Sequence, residues 1–167
     1  MAVFPIRVYP DPVLRTAAAP VGRIDEDIRR LVDDMLETMY QAPGVGLAAP
    51  QIGVALRVVV FDIGDGPHHV INPVLLETSG DWSFEEGCLS VPGRYWPVRR
   101  PGFARIRGLN LDGEEIEYAG EELLGRVLQH EVDHIGGTLI LERLPRRARK
   151  QALKEIREAE MGIGGDR

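Results

Sequence analysis

The stretch EELLGRVLQHEVDHIGG, residues 121–137, decides how the rest of the chain is interpreted. Its apolar residues recur at steps of three and four, the period of one helical face, so this face is expected to point into the core. The pair Gly136 and Gly137 is expected to end the helix, because glycine tolerates the left-handed conformation after helix C-termini. The stretch therefore predicts a buried helix that carries three polar side chains, His130, Glu131 and His134.

The two histidines of this helix are four residues apart and should project from one side of it. Two imidazoles there can share one metal ion, and the neighbouring Glu131 is turned by about 100°, within reach of a water on that metal. The HExxH pattern also occurs in ordinary helices whose polar side chains are satisfied. Burial favours the metal, because an unpartnered buried polar group costs about 1–3 kcal/mol.

Composition indicates one globular domain over residues 1–167, with 44% apolar residues and a net charge of −6. The acidic balance argues against broad affinity for DNA or membranes. No apolar run approaches the roughly 20 residues of a membrane span, and no signal peptide is recognised. Because Cys88 is the one cysteine, a disulfide framework is excluded and a reducing compartment, the cytoplasm, is expected.

The remaining elements are predicted from periodicity and turn residues. An amphipathic helix should follow Asp25, a good N-cap, to about residue 40, and a last helix should span about 145–161 with a basic beginning. The expected strands are residues 56–61, 69–72, 74–77, 103–109 and 115–118, with a break at Pro73 and a short strand or extension at 138–141. Two segments are expected to be irregular: 43–53, which is rich in glycine and alanine, and 84–93, which carries charge beside the only cysteine.

A catalytic zinc-type site usually has three protein ligands, so a third is needed beside the two histidines. The extended pattern HExxHxxGxxH fails, because Ile140 stands at its final position. A downstream acid, Glu142, Glu155 or Glu158, fits weakly by spacing. Cys88 is the remaining candidate, and its thiolate would be a strong, soft ligand.

Three segments, GVGLAAPQ (44–51), EGCLS (86–90) and QHEVDH (129–134), resemble the signature motifs of the peptide deformylase family in order and approximate spacing. The resemblance runs from about residue 6 to residue 144. It implies an α+β fold, with small, mostly antiparallel sheets around a central HExxH helix. It also implies a metal-dependent hydrolase that removes the formyl group from the N-terminal formyl-methionine of new polypeptides and releases formate.

The resemblance further implies roles for individual residues. Cys88, His130 and His134 match the metal ligands, and Glu131 matches the general acid and base. The backbone N–H of Leu89 and the amide of Gln51 match the groups that stabilise the oxyanion. The substrate is expected to contact Gly46 and a methionine pocket formed by Val45, Leu123, Val127 and the aliphatic stem of Arg126.

The resemblance implies Fe²⁺ as the native ion and Zn²⁺ as a common, poorer occupant, whereas the His₂Cys donor set alone also suits Co²⁺ and Ni²⁺. The expected partners are N-formylmethionyl nascent peptides, together with the ribosome through the basic C-terminal helix. Two contacts are also suggested: Arg94 with the peptide, and Asp133 with Arg100.

Two alternative functions are compatible with the residues. A zinc peptidase that uses HExxH with an acidic third ligand would tolerate replacement of Cys88 by serine. A non-catalytic metal-binding protein that docks on the ribosome would need neither Glu131 nor Gln51.

Overall fold

The structure, a computed structural model, describes residues 2–162. Within this range the α-helices are α1 (Glu26–Gln41), α2 (Glu122–Ile135) and α3 (Arg146–Glu160). The strands are β1 (Gly46–Ala48), β2 (Val58–Phe61), β3 (His68–Ser79), β4 (Trp82–Cys88), β5 (Val91–Arg100), β6 (Phe103–Leu109) and β7 (Glu115–Glu121). None of these helices is long and apolar enough to span a membrane. The ends of the predicted domain, Met1 and residues 163–167, lie outside the described residues.

The strands of the described chain form two sheets. Five of them lie in the order β1-β2-β3-β6-β7, and β4 with β5 forms a separate two-stranded sheet. Neighbouring strands run antiparallel in both sheets. The prediction of an α+β fold with small antiparallel sheets is confirmed.

Helix α1 packs against β1 and β2 through the apolar stripe that the sequence predicts. The carboxylate of Asp25 caps the helix by accepting hydrogen bonds from the N–H groups of Asp27 and Ile28, at 3.1 and 3.2 Å. The buried members of the stripe are Ile28, Val32, Met35 and Met39. Cap and stripe together fix the helix start and the face that it buries.

Helix α2 lies across β6 and β7, and a glycine allows this close approach. A Cβ at Gly125 would lie 2.6 Å from the carbonyl oxygen of Gly120 and 2.7 Å from that of Gly102. The helix ends at Ile135 with Gly136 as its cap residue, and Gly137 adopts a φ of 81°, as the glycine pair predicts. Backbone contact with the sheet therefore determines where the polar side chains of α2 are placed.

The small-residue segment 43–53 is not the irregular loop that was expected. Gly46–Ala48 forms the edge strand β1, and Ala49–Ile52 forms a 3₁₀ helix. Leu47 and Gln51 are both buried. The prediction is wrong because β1 is held by pairing with β2, and local composition does not reveal such a partner.

The segment 84–93 is also wrongly predicted as irregular. Its residues belong to the hairpin of β4 and β5, in which Trp82 pairs with Arg100 and Gly87 with Tyr95. Residues 83–85 of β4 are exposed and Glu86 and Cys88 are buried, so the strand shows no regular alternation of apolar and polar residues from which it could have been predicted.

Strand β3 continues through Pro73, where the sequence suggested a break between two strands. The register against β6 shifts between Ile71 and Val74, so a bulge accommodates the proline, which has no N–H to donate. Asn72, directly before the proline, has a φ of 54°, consistent with that local distortion.

The chain after α2 forms a turn where a short strand or extension was expected. A 3₁₀ helix spans Ile140–Arg143, and the carboxylate of Glu142 accepts a hydrogen bond from the N–H of Leu139 at 2.6 Å. Helix α3 then buries Ala152 and Ile156 in an apolar cluster that includes residues of the β4–β5 hairpin. Ala159, near the end of the same helix, is exposed.

Candidate active site

The polar residues of α2 meet the end of β4 at one point. Nε2 of His130 lies 3.2 Å from Nε2 of His134, which in turn lies 3.3 Å from Sγ of Cys88. The three ligand atoms all lie within 4.8 Å of one another. Among residues 2–162, these side chains form the group of acids, cysteines and histidines able to hold a metal ion.

Cys88 reaches this point because β4 is irregular at its last residue. The β4–β5 register shifts between Gly87 and Cys88, so that Cys88 pairs with Val91. Gly87 lies against the ring of Tyr95, where an added Cβ would come within 2.5 Å of the ring carbon Cε1. The thiol is buried beside α2, although it lies more than 40 residues before the histidines in sequence.

Glu86 is a member of this site that the sequence analysis did not single out. Its carboxylate lies 2.7 Å from Nδ1 of His130 and accepts hydrogen bonds from Arg100, at 2.8 and 2.9 Å, and from Arg126, at 2.9 Å. The contact of Nδ1 with Glu86 leaves Nε2 of His130 facing His134 and Cys88. Glu86 could have been found from the sequence, because it lies two residues before Cys88 and two such residues share one face of a strand.

The charges around the thiol and the imidazoles stabilise one another. Burial alone would raise the pKa of Cys88, but His134 and His130 hold it well below its usual range. Burial likewise opposes the charge of Glu86, and hydrogen bonds from His130 and Arg100 hold the pKa of that carboxyl well below its ordinary value. A thiolate is the form in which cysteine binds metals, and His130 would give up its Nε2 proton on binding one.

Glu131 is buried beside this cluster without taking part in it. Its side chain is 3% exposed, and burial raises its pKa to about 7, although His130 and His134 act to lower it. Its Oε2 has no hydrogen-bond partner among the described residues. A Cβ at Gly46 would lie 2.6 Å from the other carboxylate oxygen, so the glycine leaves room for the acid. The carboxylate is therefore held at the site with one oxygen uncommitted.

Gln51 brings an amide to the same place from the 3₁₀ helix after β1. Its Oε1 accepts the N–H of Ala48 at 2.9 Å, which fixes the orientation of the amide. Its Nε2 donates to Oγ of Ser90 at 3.1 Å and lies 3.9 Å from Sγ of Cys88. Leu89 follows Cys88 directly, and its side chain contacts the α-carbon region of Gly44.

A cavity of about 600 Å³ opens onto these groups. Its lining includes each residue predicted to contact substrate, namely Val45, Gly46, Leu123, Arg126 and Val127. The guanidinium of Arg126 donates hydrogen bonds to Glu86 and to the carbonyl of Trp82, so its aliphatic stem forms part of the cavity wall. Leu123 is 37% exposed at the cavity, although the helical pattern placed it in the core.

The other predicted contacts have mixed outcomes. The contact between Asp133 and Arg100 is confirmed, at 2.8 Å. Arg94 lines the cavity but donates to the carboxylate of Glu155 at 3.1 Å. His69 lies in β3, within the predicted strand 69–72, and accepts the N–H of Leu111 at 3.0 Å.

Comparison with known proteins identifies the family of the chain. A family model described as polypeptide deformylase matches residues 3–150. The chain belongs to the polypeptide deformylase family. The curated peptide deformylase of Acidothermus cellulolyticus is 49% identical over 160 residues, which cover 96% of this chain and 89% of that protein. The peptide deformylase of Clostridium botulinum is 53% identical over 143 residues, which cover 86% and 97% of the two chains.

Solved deformylase structures have the same fold. A peptide deformylase from Legionella pneumophila superimposes with a TM-score of 0.90 at 40% identity, covering 99% of this chain and all of the other. One from Ehrlichia chaffeensis, solved in complex with actinonin, gives a TM-score of 0.90 at 36% identity and covers 96% and 99% of the two chains. The chain is thus an enzyme of the deformylase family, whose members are metal-dependent hydrolases acting on new polypeptides that begin with formyl-methionine.

Proposed function

We propose that the chain removes the N-terminal formyl group of formyl-methionyl polypeptides at a metal centre held by Cys88, His130 and His134 on and beside the HExxH helix α2. The observation that carries the proposal is the convergence of these three ligand atoms next to the uncommitted carboxylate of Glu131. Neither alternative function needs that combination. A peptidase with an acidic third ligand would use Glu142, Glu155 or Glu158. Glu142 and Glu155 are engaged elsewhere, with Leu139 and Arg94.

The donor set fits a divalent metal ion of intermediate softness. One thiolate and two imidazoles suit Fe²⁺, Zn²⁺, Co²⁺ or Ni²⁺, and we infer Fe²⁺ as the native ion from the family. The bond from His130 to Glu86 supplies the outer partner that metal-bound histidines usually have. When bound, the ion supplies a Lewis acid and lowers the pKa of a water in the site toward about 7.

Glu131 moves the proton in the proposed reaction. Its free carboxylate oxygen accepts a proton from the attacking water as the new C–O bond forms at the formyl carbon. The same oxygen then gives the proton to the amine nitrogen as the C–N bond breaks, which releases formate and a free N-terminus. Burial raises the pKa of Glu131 above that of an ordinary carboxyl, which favours a group that both accepts and returns a proton.

Gln51 and Leu89 stabilise the oxyanion that forms at the former carbonyl oxygen. The Gln51 amide is fixed by Ala48 and directs its N–H donors toward the Cys88 side of the site. The backbone N–H of Leu89 supplies the second donor. Losing one such donor typically lowers the rate by about 10²–10³.

The cavity selects the substrate. Val45, Leu123, Val127 and the stem of Arg126 form the wall for the methionine side chain, and Gly46 lets the formyl end approach Glu131. Strand β1 is an edge strand with Gly46 at its start, so an extended peptide can add main-chain hydrogen bonds beside it.

The test of this function is formate release from a formyl-methionyl peptide by enzyme loaded anaerobically with Fe²⁺ or Ni²⁺. We expect rapid release of formate from that peptide. We expect no release of acetate from the acetylated counterpart. Cys88→Ser should abolish the release, because it removes the soft ligand. Internal cleavage of peptides that persists in Cys88→Ser would instead identify a peptidase.

We further propose that residues 1–167 act as one cytoplasmic domain that meets nascent chains at the ribosome and has no membrane or DNA partner. One domain is supported by the site itself, since α2 lies on the five-stranded sheet while Cys88 comes from the other sheet. Ribosome contact through α3 is supported by its exposed basic residues Arg146, Arg147, Lys150 and Lys154. The double variant Lys150→Glu/Lys154→Glu should weaken cosedimentation with ribosomes while formate release from a free peptide stays unchanged.

A further inference from the structure

Arg143 is connected to the candidate metal centre, although it lies at the surface and in no predicted motif. It is the last residue of the 3₁₀ helix between α2 and α3, and its side chain is 47% exposed. Its guanidinium donates two hydrogen bonds to Asp133, from Nη2 to Oδ1 at 2.6 Å and from Nε to Oδ2 at 2.9 Å. This two-point contact fixes the plane of the Asp133 carboxylate.

Asp133 connects Arg143 to the buried Arg100. Its Oδ2 also accepts a hydrogen bond from Nη1 of Arg100 at 2.8 Å. Arg100, whose side chain is only 4% exposed, uses its remaining edge to donate two bonds to Glu86, at 2.9 and 2.8 Å. Glu86 then lies 2.7 Å from Nδ1 of His130. A continuous chain of charged contacts therefore runs from the surface to a proposed ligand.

We propose that Arg143 is a positioning residue of the metal centre, which acts through Asp133, Arg100 and Glu86 to fix the ring of His130. The inference rests on the proposed function, since it requires that His130 bind the metal. Arg143 touches neither the ligand atoms nor the cavity, and its effect on the metal is transmitted through the three side chains between them.

Geometry makes this chain stiff. Two of its contacts are paired bonds between a planar guanidinium and a planar carboxylate, which restrict rotation more than a single bond does. Asp133 and Arg100 are largely withdrawn from water, so their contacts are screened less than those of a surface pair. Without Arg143, Asp133 would keep only Arg100, and the Arg100 guanidinium could shift away from Glu86 toward it.

A second consequence concerns α2 itself. Asp133 directly precedes the ligand His134 and lies three residues after His130 on the same helix. By anchoring Asp133, Arg143 also holds the last turn of α2 against the segment that leads into α3. Replacing outer partners of metal ligands typically weakens metal binding 10- to 100-fold. Because Arg143 is several contacts away, we expect a smaller effect, about three- to tenfold.

The experiment measures Co²⁺ affinity of the purified protein by competition with a chromogenic chelator, together with the visible absorption spectrum of the bound Co²⁺. Arg143→Ala should raise the Kd about three- to tenfold and alter the ligand-field bands. The Kd of Arg143→Lys should lie between that of Arg143→Ala and that of the unaltered protein, because an ammonium cannot donate the paired bonds. The matched control is Arg99→Ala, which removes a surface Arg–Asp pair with Asp81 next to Arg100 in sequence.

The outcomes separate this inference from the proposed function. If the unaltered protein fails to bind Co²⁺ with a thiolate-containing spectrum, the proposed metal centre is wrong. If it binds but Arg143→Ala gives the same Kd and spectrum, the positioning role is wrong. A lower thermal midpoint of the metal-free variant with an unchanged Kd would also overturn it, since that result describes a purely structural arginine. Should Arg143→Ala not fold, Arg143→Lys decides by the same two readouts.

Discussion

Glu131 combines burial, a free oxygen and closeness to three soft or basic side chains. Few buried carboxylates keep an oxygen without a hydrogen bond, because the desolvation cost is not recovered. Gly46 leaves the space that the acid occupies, so the strand proposed to face the substrate also leaves room for the proposed proton carrier. At the scale of the residue, the cost of burying Glu131 is consistent with a function in proton transfer.

Replacing Glu131 by glutamine tests this role with little change of shape. We expect turnover of a formyl-methionyl peptide to fall by about 10²–10⁴, because the amide cannot accept the proton. Metal content should stay at that of the unaltered protein, since Glu131 is not among the ligands. The control Glu122→Gln makes the same chemical change at the exposed start of α2 and should leave turnover unaltered. Near-normal turnover of Glu131→Gln would contradict the assignment.

His69 gives a prediction about stability rather than catalysis. Burial lowers the pKa of His69 below 6.5, and its ring accepts the N–H of Leu111 in the neutral form. In the unfolded chain the pKa is about 6.5, so on acidification the unfolded state takes up the proton first. The stabilisation is therefore complete above pH 6.5 and is lost as the pH falls through the lowered folded-state value.

His69→Gln should remove this contribution, because glutamine can accept the Leu111 N–H without titrating. Urea unfolding between about pH 7.5 and 5 should show a free energy of unfolding that falls less steeply in His69→Gln than in the unaltered protein. Other titrating groups contribute equally to both proteins. Equal slopes would mean that His69 ionises alike in the folded and unfolded states.

At the scale of the element, one glycine sets the distance between α2 and its sheet. Gly125→Ala would place a methyl group 2.6–2.7 Å from two backbone oxygens, which cannot move as a side chain can. We expect a loss of about 1–3 kcal/mol in the free energy of unfolding, measured by chemical denaturation. Gly136→Ala is the control on the same helix. It has a helical φ of −83° and no atom within 3.4 Å, so it should be neutral or stabilising.

An equal effect of the two substitutions would show that helix propensity, not contact with the sheet, limits α2. In that case the position of the polar side chains would depend on other parts of the interface. The comparison is informative because both positions lie near the ends of one helix and both substitutions add one methyl group.

How far the elements could be predicted depends on how local their signals are. Some features depend only on residues that are close in sequence. These are the apolar face of α2, the N-cap at Asp25 and the glycines after Ile135, and the structure confirms them. Strand pairing joins distant residues, so β1, the β4–β5 hairpin and the continuation of β3 through Pro73 were missed. Single-strand composition does not encode the partner that holds a strand.

The same distinction applies to the site. His130 and His134 could be related by helical spacing alone, whereas Cys88 was one of several candidates until the resemblance to the family was considered. Glu86 was missed because its partners, Arg100 and Arg126, come from other elements. Contacts between elements carry the electrostatics of the site, and their geometry becomes visible only when the chain is folded.

At the scale of the whole molecule, the proposed metal joins the two sheets. Cys88 belongs to the β4–β5 hairpin, while both histidines lie on α2, which packs against the five-stranded sheet. A metal that binds only the folded arrangement stabilises it by about 2.7 kcal/mol when the free ion is at 100 times its Kd, and by about 4.1 kcal/mol at 1,000 times. An ion bound at the proposed centre would therefore link the hairpin to the rest of the fold through ligand bonds.

Chelation should expose this link as a fall in thermal midpoint. For a chain of this size the stabilisation corresponds to about 5–15 °C, measured by calorimetry with and without a strong chelator. Cys88→Ser should have the midpoint of the metal-free protein and should not respond to the chelator, because the hairpin no longer supplies a ligand. Arg99→Ala, which alters the same hairpin at the surface, should keep the full response. If one metal per chain is present and chelation leaves the midpoint unchanged, the ion does not join the hairpin to α2, and the proposed centre must be abandoned even if the fold is correct.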